Sequence, residues 1–122
     1  MLLLTLASPF ALATPAEEQA RSVELLLGEP QPVLIDVRSA GEFADGGLPG
    51  ARHIPHEEIA AGVAALNLDK DTPIVLYCRS GRRSGLAQQR LRELGYRQVL
   101  NAGGYEQLRD RLAEAQAGSE AN

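Results

Sequence analysis

The sequence predicts an α/β fold, a mainly parallel sheet with helices on both faces, from three observations. Two short runs, residues 32–38 and 74–77, are apolar without alternation, as strands buried on both faces are. Segments with helical punctuation and spacing separate these runs, so strand and helix alternate along the chain. At 122 residues, 44% of them apolar, the chain has room for one core and not for two.

Residues 1–13 are apolar and uncharged and end in Ala11-Leu12-Ala13, a small-residue pattern suited to signal-peptidase cleavage before Thr14. The stretch is too short to span a bilayer, and Pro9 interrupts it as a helix; no Lys or Arg follows Met1, so the basic start of such a leader is missing. The expectation is a signal peptide over 1–13, export to the periplasm, no membrane contact after its removal, and one domain over 14–122. From Thr14 a helix runs through Leu25-Leu26-Leu27, with proline and acids in its first turn and Gly28 as its stop. Residues 32–38 form the first strand, and Ser39 caps a short turn of helix around Glu42 and Phe43. Residues 46–55 read as a turn-rich connection holding one short strand, and residues 56–66 as the next helix. The second clear strand is 74–77. Residues 83–94 place Leu86, Ala87, Leu91 and Leu94 at helical spacing, closed by Gly95. A short strand over 98–100, a turn at Gly103-Gly104, a helix over 105–116 and a frayed polar tail over 117–122 complete the expectation.

The net charge of −4 argues against a nucleic-acid partner, and the basic residues that cluster do so around one spot, which points to a small anion. That spot is Tyr77-Cys78-Arg79-Ser80-Gly81-Arg82-Arg83-Ser84, and Cys78 is the single cysteine of the chain. It has no second thiol for a disulfide or a metal set, so neither a metal nor a cofactor is expected. A thiol at the carboxyl end of a parallel strand, before a short turn into a helix, faces converging N–H groups and the positive end of the helix dipole. With Arg79, Arg82 and Arg83 nearby, its pKa should fall from the free value of about 8.5 toward neutrality or below. The same amides and guanidinium groups would hold an oxyanion against the sulfur. The plainer alternative, a structural cysteine beside solvated arginines, fits less well because this thiol opens the turn and does not lie within the strand.

Three blocks resemble the rhodanese (thiosulfate sulfurtransferase) homology domain: Leu34-Ile35-Asp36-Val37-Arg38 with Glu42-Phe43, Leu48-Pro49-Gly50-Ala51 with Ile54-Pro55, and the cysteine loop itself. Leu94-Gly95-Tyr96 followed by Val99 and Gly103-Gly104 is similar to that family's closing strand and turn. The likeness covers residues 17–112 and is strongest to small exported single-domain members. It implies that Cys78 carries sulfur as a persulfide, that the amides and side chains of Arg79, Ser80, Gly81, Arg82, Arg83 and Ser84 form its cradle, and that Asp36 and Arg38 are a buried supporting pair. It further implies that Arg83 braces the loop from inside while Arg79 and Arg82 face substrate. The substrates implied are a small anionic sulfur donor, thiosulfate, and a thiophilic acceptor, cyanide or a thiol. Two departures stand out. Gly47 occupies the position of a usual histidine, and Leu108 lies near that of a common tryptophan, changes that bear on packing more than on sulfur chemistry.

Other readings of the loop separate by chemistry. Phosphatases and arsenate reductases on this scaffold place their arginine one residue farther from the cysteine, whereas four residues stand between Cys78 and Arg83, too tight a ring for a tetrahedral phosphoryl group. A noncatalytic sulfur carrier or binding module would need the same cradle. His53 and His56 are read as surface or packing residues.

Overall fold

The computed structural model describes residues 13–120. Four parallel strands lie in the order β2-β1-β3-β4, with β1 Val33–Asp36, β2 Arg52–His53, β3 Ile74–Cys78 and β4 Val99–Gly104. The helices are α1 Pro15–Leu27, α2 Ala40–Ala44, α3 Ile59–Ala64, α4 Arg82–Glu93 and α5 Tyr105–Glu120. Among the described residues no helix is long and apolar enough to cross a membrane. The expected leader falls, up to residue 12, outside the described residues.

Side chains alternate across the central strands, so each face of the sheet gathers its own core. On one face Ile35, Val37, Ile74, Leu76 and Cys78 pack with Ile59, Val63, Ala87 and Leu91 from α3 and α4. On the other, Leu34, Val75 and Tyr77 pack with Leu108 and with Val23, Leu26 and Leu112 from α1 and α5. Every residue of β3 is buried, which is why its sequence shows no polar alternation. Leu108, at the place of the absent tryptophan, is fully buried in the second core.

Helix ends follow local chemistry. Thr14 caps α1, its Oγ accepting the Glu17 N–H at 3.1 Å, with Pro15 in the first turn. Ser39 and Glu42 form a reciprocal capping box on α2.

Four expectations are corrected. The helix expected over 56–66 is a 3-10 turn, His56–Glu58, followed by α3, which ends at Ala64; Asn67 at φ 53° turns the chain out of the helix. The last strand is longer than 98–100 and takes in Gly103 and Gly104, which were read as a turn. Pairing with β3 carries the strand on through residues of poor strand propensity, by way of a bulge in which Gly103 turns to φ 86° before Cys78 meets Gly104. On α4, Leu86 and Leu94 are exposed, while Ser84 and Gln88 are buried beside Ala87 and Leu91. Hydrogen bonds make this possible: Gln88 Nε2 donates to Val99 O at 3.0 Å and to Glu18. Finally, α5 continues through residues 117–120, read as a tail, because Ala113, Glu114, Ala115, Gln116 and Ala117 are strong helix formers.

Candidate active site

Cys78 ends β3 and is buried, and its sulfur is met by donors from the turn that follows. Gly81 N–H donates to Sγ at 3.0 Å, and the Ser84 hydroxyl lies 3.3 Å from it. Burial pushes the thiol up, but the Ser84 hydroxyl and the backbone N–H groups of Ser84, Ser80 and Gly81 outweigh it, so the pKa lies below its ordinary value. Converging N–H groups are the cause the sequence predicts first, with the arginines adding to it. Hydrogen bonds carry the larger share, with Arg83 adding a coulombic attraction to the sulfur.

Two glycines make the turn possible. Gly81 precedes α4 at φ 94°, a left-handed conformation, and a Cβ there would lie 3.2 Å from Gly103 Cα. Gly104, the partner of Cys78 across the sheet, would place a Cβ 2.6 Å from the Arg79 carbonyl oxygen. The Gly103-Gly104 pair is therefore a flat floor against which the cysteine loop sits.

Arg79 and Arg82 are exposed. Arg79 lines a cleft of about 340 Å³ with Arg38, Glu42, Asp45, Tyr105 and Glu106. On the other side, Ser80 and Gly81 border a cleft of about 620 Å³ beneath the start of α1 and against α5. Arg83 turns to α2 and grips Glu42 with both guanidinium nitrogens, at 2.7 and 2.9 Å. That contact, with Ser39 at the same carboxylate, holds Glu42 down at about 2.

Asp36 and Arg38 form a buried pair at the end of β1. Arg38 Nε lies 3.0 Å from each Asp36 oxygen and Nη2 is 2.7 Å from Oδ2, while the Arg38 N–H donates to Oδ1 at 2.9 Å. Arg38 also donates to Gly46 O at 2.6 Å and lies over the Tyr105 ring at 4.4 Å. Its direct contacts thus hold the neighbouring turn and α5, and it reaches the cysteine loop only through the Tyr77 ring, 5.8 Å from its guanidinium carbon. At the position of the missing histidine, a Cβ on Gly47 would come within 2.8 Å of the Phe43 ring. Phe43 in turn stacks on His53 at 4.7 Å, so the rings close the space there. His53 Nε2 donates to Arg38 O at 2.8 Å; His56 pairs with Glu57.

Four residues take no site role in the sequence reading: Asn101, Glu18, Gln19 and Glu42. Asn101 spans the underside of the loop, donating from Nδ2 to Gly81 O at 2.9 Å and accepting at Oδ1 from Gly103 N–H at 2.9 Å and from the Ser84 hydroxyl at 2.7 Å. Glu18 accepts the Asn101 N–H at 2.7 Å, and Gln19 donates to Ala102 O at 2.9 Å, so α1 locks β4 beneath the loop. Glu42 is the fourth. Only Glu42 carried a signal, the Ser39-x-x-Glu42 spacing of a capping box.

The rhodanese-like domain family matches residues 19–111. Thiosulfate sulfurtransferase PspE of Escherichia coli (strain K12) is 38% identical over 74 residues, 61% of this chain and 71% of that protein. A sulfurtransferase of Allochromatium vinosum is 36% identical over 89 residues, 72% of this chain and 81% of its own. Among solved structures, a rhodanese with anions from E. coli superimposes with a TM-score of 0.59 at 37% identity, over 62% of this chain and 88% of that one.

Proposed function

The chain belongs to the rhodanese-like family, whose matched relatives include sulfurtransferases, and on that premise we propose that it moves sulfane sulfur from thiosulfate to cyanide or a thiol. The carrier is a persulfide on Cys78. The observation that supports this most is the convergence of the Gly81 N–H and the Ser84 hydroxyl on Sγ, because a thiolate or persulfide anion needs donors fixed in place and no proton of its own.

The Cys78 thiolate attacks the outer sulfur of thiosulfate; a new S–S bond forms, the old one breaks, and sulfite leaves with its electron pair. The acceptor then attacks the terminal sulfur and returns the Cys78 thiolate, so one zero-valent sulfur moves and no outside oxidant is required. Because Cys78 is buried, the donor must present a slim end, and the outer sulfur of thiosulfate is a single atom. Arg79, exposed beside the cleft, is placed to attract the dianion. A phosphoryl group would need a wider ring than the four residues between Cys78 and Arg83 supply. Export belongs to the same proposal: residues 1–13 would direct the chain to the periplasm, and N-terminal sequencing of the protein recovered from that fraction should begin at Thr14.

Steady-state turnover with thiosulfate and cyanide both varied tests the cycle. Parallel double-reciprocal lines are expected, the mark of double displacement. Intersecting lines would remove the covalent intermediate. Sulfur loading without turnover on any small acceptor would make the protein a carrier and not an enzyme.

A further inference from the structure

The Ser84 hydroxyl has one hydrogen and two acceptors. It stands 3.3 Å from Cys78 Sγ and 2.7 Å from Asn101 Oδ1, and it can donate fully to only one of them at a time. Asn101 Oδ1 has a second, independent donor, the Gly103 N–H, so its carbonyl stays hydrogen-bonded when the hydroxyl turns away. Its Nδ2 is committed to Gly81 O, which fixes the amide's orientation and leaves Oδ1 facing Ser84.

We propose that Asn101 is a positioning residue of the sulfur cycle, acting through Ser84 as a hydrogen-bond exchange: its Oδ1 takes the hydroxyl hydrogen while Cys78 is neutral and yields it when the sulfur becomes an anion. In the neutral state the Cys78 S–H can donate to Ser84 Oγ while the hydroxyl donates to Asn101. On loss of the thiol proton the hydroxyl swings to Sγ. The bond to Asn101 therefore stabilises only the protonated state, and it keeps the nucleophile from being held permanently as a weakly reactive, heavily hydrogen-bonded thiolate. This rests on Cys78 being the nucleophile proposed above.

The direction of the effect follows from the cycle of states. Removing Asn101 Oδ1 takes away a hydrogen bond that exists only in the thiol form, so the thiolate is favoured and the Cys78 alkylation midpoint falls. A residue that merely braced the loop through Gly81 O would do the reverse. Its loss would let the Gly81 N–H drift from the sulfur and push the pKa up. The charged groups around the trio are Glu18 from α1, which accepts the Asn101 N–H, Arg83 from α4, which attracts the sulfur's charge, Arg79 in the loop, and Asp36 and Glu42 acting on Arg83. All remain in place in the variants below.

The test is the pH dependence of Cys78 alkylation by iodoacetamide, which reads the thiolate whether or not thiosulfate is the true donor. Asn101→Leu should move the midpoint down by about half a pH unit or more, and Asn101→Ala should do the same if the larger side chain disturbs folding. Ser84→Ala should move it up, and in the Ser84→Ala background Asn101→Leu should give no downward shift, an upward one there reading only the lost Nδ2 bond to Gly81 O. An upward or absent shift in the single variants, or an equal shift with and without the Ser84 hydroxyl, overturns the exchange. Loss of thiosulfate turnover in wild type with these shifts intact would instead strike at the sulfurtransferase proposal.

Discussion

Two strands of this sheet run into a helix at the same edge, and they finish differently. At the end of β1 local side chains meet the backbone. Asp36 takes the Arg38 N–H and guanidinium, and Ser39 and Glu42 cap α2 from both directions. At the end of β3 there is no side-chain cap on α4; Gly81 stands in the cap position, and its N–H is given to sulfur. One junction meets its orphan amides with oxygen, and the other leaves them for Cys78. The capped junction stores stability, and the uncapped one holds an anion.

That contrast can be broken at either end. The largest effect is expected from Asp36→Asn, which leaves the Arg38 guanidinium buried beside a neutral amide and should cost about 3–5 kcal/mol in urea unfolding. The Cys78 alkylation midpoint should stay near its wild-type value, since Arg38 has no hydrogen bond to the cysteine loop. Next comes Gly104→Ala. Its Cβ must displace the Arg79 carbonyl, and a shift of that size at a reacting centre lowers kcat/KM by about a hundredfold. Here stability should change less than activity, the opposite of Asp36→Asn.

Glu42 joins the two junctions, because the carboxylate that caps α2 also grips Arg83 of α4. The Arg83 guanidinium holds this carboxylate at about 2, below its ordinary 4.5. A carboxyl depressed on folding contributes its full stabilisation above the ordinary value and loses it as the pH falls from 4.5 through about 2. Glu42→Gln should therefore flatten the stability profile in that acid window, measured by thermal unfolding from neutral pH downward. The smallest effect belongs to Arg79→Ala. With no side-chain hydrogen bond or ion pair among the described residues to lose, its removal should raise the thiosulfate KM several-fold with little change in kcat, because it assists binding alone.

Much of the scaffold was legible because its signals are local. The unbroken apolar runs of β1 and β3 announce strands covered on both sides, and proline, acids and glycine bracket α1. The thiol at the end of β3 was legible for the same reason: strand, turn and helix follow one another in sequence. What stayed hidden depends on partners far along the chain. Asn101, Gly103 and Gly104 have no strand propensity, and only β3 beside them makes β4 long. Leu86 and Leu94 fit a helical stripe, yet the buried stripe includes Ser84 and Gln88, whose polar atoms find partners on β4 and α1. The pairing of Arg83 with Glu42 spans 41 residues, and no spacing rule reaches that far.

The most direct test is the intact mass of the purified protein after exposure to thiosulfate and removal of excess reagent. Wild type should gain about 32 Da, one sulfur on Cys78, and release it on addition of cyanide, while Cys78→Ser gains nothing. An unchanged wild-type mass, or the same gain in Cys78→Ser, would contradict the assignment of Cys78 as the sulfur-bearing residue.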